Sequence, residues 1–160
     1  LTAWELGQEG VDHAVLVDNA TGHYMQRGQI QMVIVGSDRI AANGDVANKI
    51  GTFSSAVVAH HLGIPFFVAA PTTTIDPHCP SGREIPIEER SQDEILWVDG
   101  ETKDGNLEAV NIAAPGAKAL NPAFDVTPGH LVSGLITESG IYPATVSGIR
   151  DALAQAGRGV

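Results

Sequence analysis

Three apolar runs, set at near-regular intervals, constrain the fold of this chain more than any other feature. They are "HAVLVD" (13–18), "IQMVIVG" (30–36) and "IPFFVAA" (64–70). None alternates apolar with polar residues, so none reads as a strand with one wet face. Continuous apolar strands belong in a parallel sheet covered by helices on both faces. The intervening segments fit helices. "NATGHYMQRGQ" reads as a turn and short helix, and a longer helix is expected from about Val46 to Leu62, stopped by Gly63. The rhythm of strand, helix, strand, helix, strand predicts an α/β, Rossmann-like fold with a parallel sheet.

The rest of the chain is less regular. "PTTTIDPHCPSGREIPIEER" (71–90) reads as a long loop, "EILWV" (94–98) as a strand and "DGETKDGNLEAV" as a polar turn region. "NPAFDVTPGHLVSGLITESG" predicts a loop and then a helix opening at Thr127 as N-cap, with Pro128 in first position. Residues 144–160 predict a terminal helix with a frayed tail. The whole of 1–160 is expected to form a single domain. "LTAWELGQEG" reads as a helix already under way at Leu1, which leads us to expect a chain that is part of a longer protein.

Composition narrows the partners. The 160 residues are 43% hydrophobic and 18% charged, which suits a folded core. A net charge of −10, with nine Lys and Arg and no basic cluster, argues against nucleic acid and anionic membranes. No apolar run nears the roughly 18 residues of a membrane span, and no signal peptide is evident. The lone Cys79 excludes an internal disulfide and fits a reducing, cytoplasmic setting.

The chemistry concentrates in "GSDRIAANGDVANKIGT" (36–52). Ligands of open parallel sheets bind beyond the carboxyl ends of the strands. Asp38 follows one such strand, and Asp18 holds the equivalent place after "HAVLV", so both acids are expected to face one crevice. Asn48 and Lys49 are expected in the first turn of the following helix, whose free N–H groups and dipole favour a phosphate. Alternatives stay open on residue type alone. Asp38 also reads as a turn former, Lys49 as a solvated helix residue and "NGD" as an ordinary turn. No dinucleotide or Walker fingerprint is present. "DPHCP" (76–80) suits a loop better than a metal site, and His60 and His61 point too far apart to share a metal.

In order along the chain, "GSDRIAANGDVANKIGT", "GIPFFVAAPTTTID", "GREIPIEER" and "NPAFDVTP" with "LVSGLITESG" resemble the carboxyl-terminal domain of the methylthioribose-1-phosphate isomerases. That family is related to the regulatory subunits of translation initiation factor 2B and to ribose-1,5-bisphosphate isomerase. The resemblance implies an aldose–ketose isomerase of methionine salvage with Asp38 as the acid–base group. It implies that Asn48 and Lys49 contact the substrate, a small sugar phosphate. It also implies a homodimer, with no metal and no organic cofactor. The family's amino-terminal helical domain, catalytic cysteine, Arg-Gly-Ala loop and first sheet strand would precede Leu1, and Cys79 does not match that cysteine. Ser37 stands where the family usually has alanine. A sugar-phosphate-sensing regulatory module and a ribose-1,5-bisphosphate isomerase are the alternatives that the resemblance leaves.

Overall fold

The computed structural model describes residues 1–158. In chain order its elements are α1 (Thr2–Gln8), α2 (Thr21–Gln26), β1 (Val33–Val35), β2 (Arg39–Ala41), β3 (Val46–Lys49), α3 (Thr52–His61), β4 (Phe66–Ala69) and β5 (Ile75–Asp76). There follow α4 (Asp93–Leu96), β6 (Trp97–Glu101), β7 (Leu107–Asn111), β8 (Phe124–Thr127), β9 (Gly134–Thr137), β10 (Gly140–Tyr142) and α5 (Val146–Gln155).

Two of the apolar runs become neighbours in a parallel sheet. β1 pairs with β4 from Val33↔Phe66 to Val35↔Val68, and β4 pairs with β9 from Phe67↔Gly134 to Ala69↔Ile136. β10 closes this sheet as an antiparallel edge, giving the order β1-β4-β9-β10. Phe66, Val68 and Leu135 are fully buried and pack with Met25 of α2, Ala56 and Ala59 of α3, and Ile149, Ala152 and Leu153 of α5. Each such large apolar side chain contributes about 1.5–3 kcal/mol on burial. α3 meets this core with alanines, which allow close approach. Gly63, in a left-handed conformation, follows its last turn. α5 starts where Thr145 Oγ1 accepts the Gly148 N–H at 3.2 Å.

A second sheet, in the order β5-β2-β3-β8, has no counterpart in the sequence reading. Val46–Lys49 is a strand rather than the start of a helix. It runs antiparallel to both β2 and β8, and that pairing satisfies its backbone on both sides. The helix starts only at Thr52, after Gly51 at φ 100°, a conformation outside any helix. The helix expected from Thr127 is likewise replaced. Phe124–Thr127 pairs with β3, and only a single 3-10 turn, Gly129–Leu131, follows Pro128. "EILWV" divides into the last turn of α4 and the first residues of β6, which joins β7 in a separate hairpin. Residues 13–17 form no strand and pair with no other strand among the described residues.

Candidate functional site

Asp38 lies just past β1, where an acid was expected. Its N–H donates to the Ala47 carbonyl at 2.9 Å, which holds it against the strand that bears Asn48 and Lys49. Its side chain opens onto a crevice of about 470 Å³, also lined by Arg39, Asp76, His78, Arg158 and the Thr73–Thr74 turn. Arg39 stands 3.6 Å from Asp76. The other Asp76 oxygen accepts the His78 N–H at 3.0 Å, so "DPH" is a self-bonded turn. Thr72 is held by Glu138, which takes its N–H at 2.9 Å and its hydroxyl, while Arg158 Nη1 donates to the Thr72 carbonyl. The bonds from Thr72 hold the Glu138 carboxyl below its ordinary pKa, and the Arg158 charge adds to this.

Asp18 and Asp38 do not face one crevice. Asp18 lines a separate pocket of about 220 Å³ with Thr21, Gly51, Ser54 and Ser55. The strand that would have aimed it at Asp38 does not form, and Asp18 instead opens a 3-10 turn. The expected phosphate cradle at the start of α3 is also taken. The Gly51 and Phe53 N–H groups donate to the Asp125 carboxylate at 2.7 and 3.0 Å. Asp125, in β8, thus meets the positive end of the helix from a distant part of the chain.

Asn48 and Lys49 are consecutive strand residues and point to opposite faces of the second sheet. Asn48 is half-buried and donates to Thr52 Oγ1 at 3.0 Å, and that hydroxyl donates to the Lys49 carbonyl at 2.6 Å. Lys49 is exposed and lies near Glu94. Neither residue lines the Asp38 crevice. Glu94 is held below its ordinary pKa chiefly by the Arg90 guanidinium, which grips both of its oxygens. Among the described residues no group of three or more His, Cys, Asp or Glu is placed to hold a metal, and no helix is long and apolar enough to cross a membrane. Cys79 is buried, with Sγ 3.3 Å from the Ser81 carbonyl.

Residues 1–144 match the Initiation factor 2 subunit family. The chain belongs to that family. It is 55% identical to a methylthioribose-1-phosphate isomerase of Gluconobacter oxydans over 151 residues, which cover 94% of this chain and 41% of that protein. A crystal structure of 5-methylthioribose 1-phosphate isomerase from Pyrococcus horikoshii superposes with a TM-score of 0.83 at 43% identity, covering 96% of this chain and 41% of the other. Translation initiation factor eIF-2B, subunit delta, from A. fulgidus gives the same TM-score at 39% identity, covering 96% of this chain and 42% of that one. The chain therefore spans about two-fifths of the length of these relatives. The shared fold does not separate isomerase from initiation-factor subunit, since the two TM-scores are equal. Among these relatives, identity is highest with the isomerases.

Several residues of the crevice and its surroundings escaped the sequence. Asp76 and His78 were visible only as a weak metal motif. Arg158 and Glu138 meet at Thr72 from positions more than sixty residues away, and no local pattern announces such a contact.

Proposed function

We propose that this chain supplies the acid–base part of a methylthioribose-1-phosphate isomerase. The supporting observation is the 55% identity across nearly the whole chain, together with the opening of Asp38 onto a mixed-charge crevice. The substrate is a cyclic sugar whose anomeric C1 carries the phosphate, so no free aldehyde is available. Breaking the bond between C1 and the ring oxygen requires a proton on that oxygen. The C2 hydrogen then moves to the electron-deficient C1 as hydride, with its electron pair, the C2 hydroxyl loses its proton and becomes the ketone, and the phosphate stays on C1. Asp38 donates the first proton and recovers the second, so one carboxyl closes the cycle. Asn48 and Lys49 follow Ala47, whose carbonyl holds the Asp38 N–H, and on this reading they contact the part of the substrate that extends beyond the crevice. On this reading the remaining length of the isomerases completes the site, and the enzyme works without metal or organic cofactor. It acts in methionine salvage, as a cytoplasmic homodimer.

The test is turnover by the protein at the length of its relatives. Methylthioribose 1-phosphate should be converted to the 1-phospho-ketose, and Asp38→Asn should abolish conversion while leaving the circular dichroism spectrum unchanged. Turnover of ribose 1,5-bisphosphate alone would move the assignment to that isomerase. Saturable binding of sugar phosphates without turnover would favour a regulatory module. Wild-type rates from Asp38→Asn would remove the acid–base role.

A further inference from the structure

Thr52 sits at the junction of β3 and α3, and its hydroxyl is engaged twice. The residue is only 6% exposed. Its neighbours on either side, Gly51 and Phe53, both give their N–H groups to the Asp125 carboxylate. Asp125 is also the residue that stands opposite Asn48 in the β3–β8 ladder. The Thr52 hydroxyl therefore has a fixed place relative to Asn48. A hydroxyl has one hydrogen to give. The Lys49 carbonyl, 2.6 Å away, can only accept, so that hydrogen goes there. Towards Asn48, at 3.0 Å, Thr52 Oγ1 can then only accept, and the group that meets it must be the amide NH2. The Asn48 amide thus has one orientation, with its oxygen Oδ1 turned away from Thr52. Oδ1 accepts no hydrogen bond among the described residues. The one buried side-chain polar atom left without a partner among those residues is Thr127 Oγ1, so Asn48 Oδ1 reaches solvent.

We propose that Thr52 is a positioning residue, whose hydroxyl sets the Asn48 amide so that Oδ1 faces the ligand and accepts a hydrogen from a sugar hydroxyl. This rests on the reading above in which Asn48 contacts a sugar phosphate, but not on isomerisation. A phosphate dianion has no hydrogen to offer Oδ1, whereas the hydroxyls of the sugar do. Thr52 touches no ligand itself and acts through Asn48. Without its hydroxyl the amide can turn over, and the ligand meets a mixture of the two ends. The same hydroxyl holds the Lys49 carbonyl, so one side chain braces both members of the Asn48-Lys49 pair. Valine has nearly the shape of threonine and lacks only this hydrogen-bonding group.

The experiment compares wild type, Thr52→Val, Thr52→Ser, Asn48→Ala and the double variant Thr52→Val with Asn48→Ala, each at the full length of the relatives. Turnover of methylthioribose 1-phosphate gives KM. Calorimetry with the same compound gives Kd, with Asp38→Asn added to every protein so that no conversion interferes. Thermal melts report on the fold. Thr52→Val should raise Kd and KM together by about threefold to tenfold, the effect of one neutral hydrogen bond. Thr52→Ser, which keeps the hydroxyl, should stay within about twofold of wild type. In the Asn48→Ala background, Thr52→Val should change Kd by less than about twofold, because the amide through which it acts is already gone. An unchanged Kd in Thr52→Val, whatever its melting temperature, would overturn the inference. So would the full further loss in the Asn48→Ala background, which would reduce Thr52 to a structural contact, and so would a protein that binds no methylthioribose 1-phosphate. A wild type that does not turn the compound over, but binds it and loses affinity through Thr52→Val as stated, would leave the inference standing and remove the isomerase reading.

Discussion

Asp45 lines no part of the Asp38 crevice, yet three N–H donors converge on its carboxylate. Asn43 Nδ2 lies at 2.8 Å, and the Gly82 and Gly129 N–H groups each lie at 3.0 Å. The turn between β2 and β3, the loop at Gly82 and the turn after β8 therefore meet on one side chain. Burial works against its charge, but the bonds from Asn43, Gly129 and Gly82, and the nearby His130, outweigh this and hold its pKa below the ordinary value. A carboxyl depressed in the folded state adds stability above its unfolded pKa of about 3.9, and this stability is lost as pH falls through the lower folded value. Asp45→Asn replaces one acceptor oxygen with a donor that faces an N–H. It should cost about 1–3 kcal/mol at pH 7, read from urea unfolding. The gap to wild type should narrow as pH drops below about 4. An equal gap at every pH would mean that the ionised carboxylate is not what holds the three segments.

The β2–β3 hairpin brings Asp38, Asn48 and Lys49 into one structural unit, and its turn tolerates little change. Gly44 sits at φ 90°, and a Cβ there would lie 2.4 Å from the backbone carbonyl of Ala144, just before α5. Gly44→Ala should therefore cost about 2–4 kcal/mol, combining backbone strain with a clash that no side chain can relieve. An unchanged unfolding midpoint would show that the hairpin and α5 are not locked at this point. Elements defined by their own residues were legible in the sequence. The continuous apolar character of β1 and β4 marked parallel strands, and the strand-end position of Asp38 marked it as a candidate acid. Elements defined by distant partners were not legible. Val46–Lys49 was assigned to a helix because its strand character comes from pairing with Phe124–Thr127, far along the chain. The N-cap signature at Thr127 and Pro128 was overruled by the same ladder. The anion slot of α3 looked vacant from local sequence because Asp125, which fills it, lies 72 residues beyond Phe53.

Across the described residues, large apolar side chains stand exposed at several places, among them residues 13–17, β1 and the β6–β7 hairpin. Val15 and Val17 are 82% and 78% exposed in a run that reads as a buried strand but pairs with nothing among the described residues. β1, the outer strand of the parallel sheet, leaves Ile34 57% exposed, and its outer edge has no partner among the described residues. Unpaired edges of this kind take up further strands or aggregate. The β6–β7 hairpin is exposed at every residue, including Trp97, Val98 and Val110, and a lone hairpin is marginal in water. The isomerases extend well beyond the stretch shared with this chain, which is 41% of the Gluconobacter protein. On the proposed reading, a central strand and the rest of the site come from that additional length. Residues 1–160 alone should then be inactive and prone to associate. The decisive measurement is turnover of methylthioribose 1-phosphate by residues 1–160 alone, by the amino-terminal portion alone, and by the two mixed, with sedimentation of each. A site shared between the two pieces predicts no turnover from either alone, and activity recovered with formation of a complex on mixing. A monodisperse 160-residue chain with full isomerase activity by itself would contradict it.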